Sequence, residues 1–548
     1  MLGLFSLVLA WATRGPHYPL EQGAIHLRWS HLPLYALYSW LRMAAAYCLS
    51  LLFALVYAYL AAFHRRAERV LIPVLDILQS IPVLSFLPVV LEAFIALFPG
   101  SRLGVNLAAI ILIFTGQVWN MVFSLYHGFI TIPRDLRESA LSLRLSAWQR
   151  FRALELPYAM VGLVYNSMMS WAGGWFFLMA CEMFSLGSQN YQLEGLGSYL
   201  QTAANRGDWR AEGAGLIALV SVIVLMDQLI WRPLLAWADR FKMELVEGEG
   251  AGHSAVLRVL RRSQILSWSE KHLCEPAQEA LDQLFTRLWP KLREQPGVES
   301  GVGLLRTLAV AAAIYALFSA LRGAAALLAT LPLHAWALVL AAAATTLLRV
   351  LVALAFSVAW TVPVGVWIGL NKRWSATLTP LSQIAASVPA TALFPGLVAL
   401  LIHLRGGLEV ASVLLMVLGT QWYVLFNVIA GASAIPEDLK EATRIFGLGG
   451  WFAWRTLILP AIFPYLVTGL ITAAGGAWNA SIVAEYVSFQ GKTYTAFGIG
   501  SLIAQSSQGG QYALLLASTG MLALTVVAIN RMVWRRLYEK ASQRYSFT

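Results

Sequence analysis

The chain is 548 residues long, 59% of them hydrophobic and only 12% charged, with a formal charge of +11 at neutral pH. Soluble domains carry about a quarter charged residues, so these figures exclude a soluble enzyme and define a helical protein that crosses a membrane many times. The positive charge gathers in loops beside apolar spans, as the positive-inside rule requires, which removes the case for nucleic acid; three cysteines, Cys48, Cys181 and Cys274, give no disulfide framework.

Taken in chain order, apolar segments fall at 1–13, 35–63, 80–98, 104–131, 159–185 and 213–237, and again at 304–322, 334–370, 384–403, 408–431, 461–487 and 511–533. That predicts about 12 transmembrane helices, or 11 if 1–13, too short for the roughly 20 residues a spanning helix needs, does not cross. Arg65, Arg66 and Arg69, the stretches Arg134–Arg152 and Lys440–Arg455, the 238–300 segment, Lys372 and Arg373, and Arg535–Arg544 then share one side. Both termini are expected to be cytoplasmic. The expected domains are 1–34, a short apolar segment and outer loop; 35–237, the first membrane domain; 238–303, a cytoplasmic linker; 304–540, the second membrane domain; and 541–548, a tail. Within the linker, Leu281, Leu284, Phe285 and Leu288 give one amphipathic helix.

The two membrane domains are copies. The passage IPRDLRESALSLRLSAWQRFRALELP, Ile132 to Pro157, returns 303 residues later as IPEDLKEATRIFGLGGWFAWRTLILP, Ile435 to Pro460. In the same register Trp119 matches Trp422, Trp175 matches Trp478, Glu182 matches Glu485, and Gly195 and Gly197 match Gly498 and Gly500. Earlier in each half the offset is 307, pairing Arg42, Pro73, Pro82 and Pro88 with Arg349, Pro380, Pro389 and Pro395. Prolines and glycines recurring in register mark shared backbone bends, so the halves share one fold. Both inserts face one compartment, which makes the repeats parallel and not inverted.

The inserts resemble the EAA loop of ABC importer permeases, a pattern of E-A-A, three residues, G, nine residues and I-x-L-P. The second copy supplies Glu441, Ala442, Thr443, Gly447, Leu457, Leu459 and Pro460; the first supplies Glu138, Ser139, Ala140, Leu156 and Pro157 but has Arg144 where the glycine belongs. The resemblance implies a fused pair of type I permease domains, in the nitrate, sulfonate, taurine and bicarbonate branch, spanning roughly 35–237 and 334–540. Each insert is then a coupling helix seated on a cytoplasmic ATPase subunit, and a glycine turn lets it fold back compactly. Arg144 puts that turn in doubt in the first half. The resemblance further implies two ATPase subunits that bind the ATP and magnesium, a periplasmic solute-binding protein, and an inner-membrane location. No cofactor and no catalytic residue is expected on this chain, and its nine histidines show no metal-ligand spacing.

Glu182 and Glu485 lie deep in apolar spans, where a carboxylate costs about 2.5 to 3.5 kcal/mol on insertion scales and faces the protein interior or a water-filled path. With Trp175 and Trp478 they are candidates for a pathway or gate, and hydrogen bonding to a neighbouring helix is the plainer reading of the two carboxylates. Gln117, Trp119 and Asn120, with Gln421, Trp422 and Asn427 in the other half, are better candidates for a polar pathway, although helix packing accounts for each taken singly. Arg42 and Arg349, near the outer interface, are expected to snorkel. An ion-coupled secondary transporter or channel, working without an ATPase, is the alternative function.

Overall fold

The computed structural model describes residues 25–99, 101–186, 189–241, 315, 318–319, 321–401, 406–447, 449–489 and 492–544. The expected span at 1–13, most of the linker 238–303 and most of the expected span at 304–322 lie outside these residues.

The first half is a run of helices. They are α1 (Leu32–Phe63), α2 (Arg65–Ser80), α3 (Leu87–Leu97), α4 (Arg102–Ile130), α5 (Arg134–Ser142), α6 (Leu156–Glu182), α7 (Leu196–Arg206) and α8 (Trp209–Met226). The second half repeats them in order as α9 (Leu333–Gly369), α10 (Lys372–Ser387), α11 (Ala390–Leu401), α12 (Gly407–Ser433), α13 (Glu437–Ile445), α14 (Leu459–Ala484), α15 (Ile499–Gln508) and α16 (Tyr512–Ile529). Among the described residues, seven helices are long and apolar enough to cross a membrane, or up to nine if each bent pair counts as one span. The protein is an all-α polytopic membrane protein built from two like halves.

Two details depart from the sequence expectation. The spans expected at 80–98 and 384–403 are not single straight helices. Each is the second arm of a bent pair, α2 with α3 turning through 86° and α10 with α11 through 77°. Pro82 and Pro389 sit at the two bends. A proline disfavours helical geometry in the residue before it, and Ile81 and Val388 are both extended. The second departure is a pair of two-stranded antiparallel hairpins, β1 (Met183–Leu186) with β2 (Gln189–Gln192) and β3 (Tyr486–Phe489) with β4 (Lys492–Thr495). Each hairpin begins one or two residues after the fifth-span helix stops, and each delivers the chain to a glycine-led helix, α7 or α15.

In each half the central helix, α4 or α12, lies between α1 and α6 or between α9 and α14. The halves are joined by exchange. The bend between α2 and α3 packs on α14, and α11 packs on α6 and α7. Val83, Leu84 and Leu87 therefore belong to one apolar core with Trp478 and Leu515, while Ala392 enters the core of the first half. Tyr512 reinforces this seam by donating its hydroxyl to Glu92 Oε1 at 3.0 Å.

Candidate functional site

The inserts form a surface at one end of the bundle. Ile132 and Ile435 are buried at the foot of α4 and α12 and anchor each insert. The prolines that follow, Pro133 and Pro436, are the N-cap residues of α5 and α13, and Asp135 or Glu437 and Asp438 occupy the first turn, where negative charge favours the helix dipole. Glu138 and Glu441 are exposed. After each short helix the chain reverses through a residue in the left-handed region, Gly447 at φ 67° and Arg144 at φ 53°. Arg144 thus makes the turn that sequence placed in doubt, and it is the one non-glycine residue of positive φ among those described. Leu145 N donates to Ala140 O at 3.2 Å across this turn, which holds Arg144 in a conformation costing an L-residue about 1 kcal/mol.

Each insert then re-enters the bundle through a π-turn, Phe151–Glu155 or Trp454–Ile458, immediately before the Leu-Pro pair. Pro157 and Pro460 have no N–H to give the turn below, and a widened turn at that place accommodates the loss. Leu156, Pro157, Leu459 and Pro460 are half-buried at this junction. The second insert exposes the larger apolar face: Phe446 and Trp451 are each 75% exposed, whereas Trp148, the counterpart of Trp451, is half-buried with its ring 5.8 Å from that of Phe151. Ser139 and Thr443 return their hydroxyls to the carbonyls of Asp135 and Leu439; Ala140 is buried and Ala442 half-buried.

At the opposite, hairpin end, Glu182 and Glu485 are fully buried in matching clamps. Arg42 donates from NH1 to Glu182 Oε1 at 2.8 Å, and Arg349 NH1 to Glu485 Oε1 at 2.7 Å. Ser39 Oγ donates to the same Glu182 oxygen at 2.5 Å and accepts from Leu196 N at 2.9 Å; Thr346 repeats both contacts with Glu485 and Ile499 N at 2.7 and 2.9 Å. The second carboxylate oxygen accepts from Gly197 N at 2.6 Å, or from Gly500 N at 2.8 Å. Each carboxylate therefore caps the N-terminus of α7 or α15, where unpaired N–H groups favour an anion. Gly195 and Gly498 lie flat against the two carboxylates, and a Cβ on either would collide with them.

Arg42 and Arg349, at 8% and 7% exposure, do not snorkel. They are buried counterions, because the carboxylate one span away supplies a partner that the interface otherwise would. The sequence carried this signal unread: Ser39 and Thr346 share the 307 offset of the two arginines. The clamps differ at one position. Arg42 Nε donates to Asn106 Oδ1 at 2.8 Å, whereas Arg349 bonds the carboxylate of Glu409 through Nε at 2.9 Å and also through NH2.

The other candidate pathway residues separate. Trp175 and Trp478 are buried in the two cores at 1% and 2% exposure. Gln117 is fully buried, with Nε2 3.9 Å from Met43 Sδ, and Gln421 accepts from Trp360 Nε1 at 3.1 Å. Trp119 and Trp422 pack beside the cores, and Asn427 donates to Tyr423 O at 2.8 Å. Asn120 lines a cleft, of about 620 Å³, between α4 and α6.

The sequence profile of the family described as the binding-protein-dependent transport system inner membrane component matches residues 50–229 and 361–535. The chain belongs to this family. The two matched stretches are the two structural halves, so this binding-protein-dependent transport component carries the family's membrane domain twice. Among curated relatives, it is 32% identical over 126 residues to the bicarbonate transport system permease protein CmpB of Synechococcus elongatus, covering 23% of this chain and 44% of that protein. It is 29% identical over 136 residues to the nitrate import permease protein NrtB of Synechocystis, covering 24% of this chain and 48% of the relative. With the taurine transport system permease protein TauC of Escherichia coli it shares 24% identity over 197 residues, 35% of this chain and 68% of TauC. The chain thus aligns with less than half the length of the CmpB and NrtB relatives named.

Proposed function

We propose that this protein is the whole membrane pathway of an ATP-driven importer, with 35–237 and 304–540 acting as paired permease domains. Two ATPase subunits, which carry the ATP and magnesium, dock on the two inserts, and a binding protein delivers a small oxyanion of the nitrate, bicarbonate or sulfonate kind to the hairpin end. The observation that carries this reading is the duplicated, exposed α5 and α13, each followed by the same left-handed turn and π-turn at the same end of a shared bundle. A rigid helix on a compact turn transmits the motion of its partner as a rigid body. Basic residues concentrated at the insert end support its placement in the cytoplasm and the whole chain in the inner membrane.

The clamps also bear on the alternative. A secondary transporter needs ionisable groups free to load and unload, and Glu182 and Glu485 are each tied to an arginine, a hydroxyl and a backbone N–H. They serve here as latches that hold the outer ends of α6 and α14 to α1 and α9. Co-purification tests the docking: the pair Glu138→Ala and Glu441→Ala should cut recovery of the ATPase with the membrane subunit at least fivefold. Undiminished recovery overturns the assignment, and ion-driven uptake by the chain alone in liposomes overturns the importer.

A further inference from the structure

The cleft between α4 and α6 is lined by first-half residues, and most of its polar ones are not repeated in the second half. Its floor is a stripe on α4, Asn120, Ser124 and His127, facing Gly162 and Asn166 on α6. Both stripes continue from the seam between the halves. Asn166 and Gly162 stand two and three turns along α6 from Gly173 on the same face, and a Cβ at Gly173 would lie 3.9 Å from the hydroxyl of Tyr423 on α12. Tyr423 is the counterpart of Asn120 at the 303 offset, so the pseudo-two-fold turns Asn120 toward the same seam.

In the second half an aromatic ring enters the corresponding place. Tyr465 stands where the first half has Gly162, and its ring lies against Gly431, where a Cβ would meet it at 2.9 Å. His127, Thr131, Tyr158 and Asn166 are replaced by Ala430, Ala434, Ala461 and Gly469. Asn427, in the place of Ser124, is committed to the carbonyl of Tyr423. In the first half Thr131, Tyr158 and Asn166 are likewise bonded to carbonyls, so its contrast with the aromatic plug of the second half rests on Asn120, Ser124 and His127.

We propose that this cleft is a single solute station on the transport path, built by the first half only, and that its ligand is a small oxyanion. The proposal rests on the importer reading above. Among the described residues no hydrogen bond is made by the Asn120 amide, the Ser124 hydroxyl or the His127 imidazole, which leaves three donors of different kinds turned into one space. No Asp or Glu lines the cleft. The Arg240 guanidinium, outside the lining, lies 4.5 Å from the Trp237 ring centre and 4.8 Å from that of Phe241, and Phe241 lines the cleft. Neutral donors in a lining free of carboxylates, with a guanidinium stacked on one lining ring, favour an anion with acceptor oxygens, and the volume admits such a solute with several waters.

The test is uptake by the complete complex in proteoliposomes, with nitrate, bicarbonate and taurine as the probes. Asn120→Ala and His127→Ala should each raise KM at least tenfold for the transported probe with kcat changed less than threefold, while His127→Gln, which keeps a donor, stays within threefold of the wild-type KM. Gly162→Tyr, which copies the plug of the second half, should abolish uptake while the ATPase still co-purifies. Unchanged KM in both alanine variants, or wild-type uptake by Gly162→Tyr, overturns the station and leaves the importer standing. A wild-type complex that takes up none of the three probes overturns the oxyanion assignment and the station together.

Discussion

Glu182 and Glu485 show how a buried charge is tolerated within a membrane bundle. Each carboxylate is surrounded by one guanidinium, one hydroxyl and one backbone N–H, so its lone pairs are satisfied by groups from two neighbouring helices. Removing it strands the arginine without its counterion, and breaking a buried pair in this way costs about 3 to 5 kcal/mol. Glu182→Ala should therefore lower the melting temperature in detergent sharply, with Ser39→Ala milder, because its two hydrogen bonds are lost but the ion pair with Arg42 remains. Gly195→Ala should behave like Glu182→Ala although it changes no charge, since its methyl occupies the carboxylate's place. A melting temperature within 1 °C of wild type for Gly195→Ala would show that the clamp yields. In the second half the same arginine holds two carboxylates, and Glu485→Ala leaves Arg349 with Glu409, so its loss should be smaller than that of Glu182→Ala.

At the scale of elements, the inserts show a local rule overridden by context. Glycine is the residue for a left-handed turn, and Arg144 occupies one nonetheless. Its cost is met by the bonds that close the turn, Arg144 N to Leu141 O at 2.9 Å and Leu145 N to Ala140 O at 3.2 Å. Arg144→Gly should raise stability by about 1 kcal/mol at most, since relief of the strain is offset by the greater freedom of glycine in the unfolded chain. Arg144→Val, β-branched and poorly suited to positive φ, should weaken ATPase co-purification where Arg144→Gly leaves it intact. Equal recovery with both would show that the turn does not shape the docking helix. The π-turns and the bends at Pro82 and Pro389 follow the opposite pattern, in which local chemistry prevails: a missing N–H or a restricted preceding residue decides the geometry in both copies.

For the whole molecule, the seam between the halves is the element that must move if the inserts transmit work. It is largely apolar, and the Tyr512 hydroxyl on Glu92 is a polar contact within it. The corresponding positions at offsets of 303 and 307 are Trp209 and Ala399, so the symmetry-related seam has no such bond. Tyr512→Phe removes a hydrogen bond to a carboxylate, a contact of about 1.5 to 3 kcal/mol. If that bond favours one arrangement of the halves, the variant should change the ATP concentration needed for half-maximal uptake. An unaltered concentration with lowered melting temperature would confine the bond to stability.

Much of this architecture was legible because duplication writes each structural decision twice. The paired prolines predicted shared bends, the insert pattern predicted the short helices, and the apolar segments predicted the spans, since those features depend on residues near one another in sequence. The first arm of each bent pair went unpredicted, because α2 and α10 are polar enough to pass for loops. The hairpins are four-residue strands, too short to give a periodic signal. Sequence alone determined the class of protein, the repeat and the place of the inserts, through hydropathy, charge and register. Only the tertiary structure decided that Arg42 and Arg349 are counterions and not snorkelling charges, that Arg144 can stand in for glycine, and that the halves differ at the cleft. Each of those depends on a partner brought close by folding, 140 residues away for Arg42 and Glu182, and no local pattern encodes that distance.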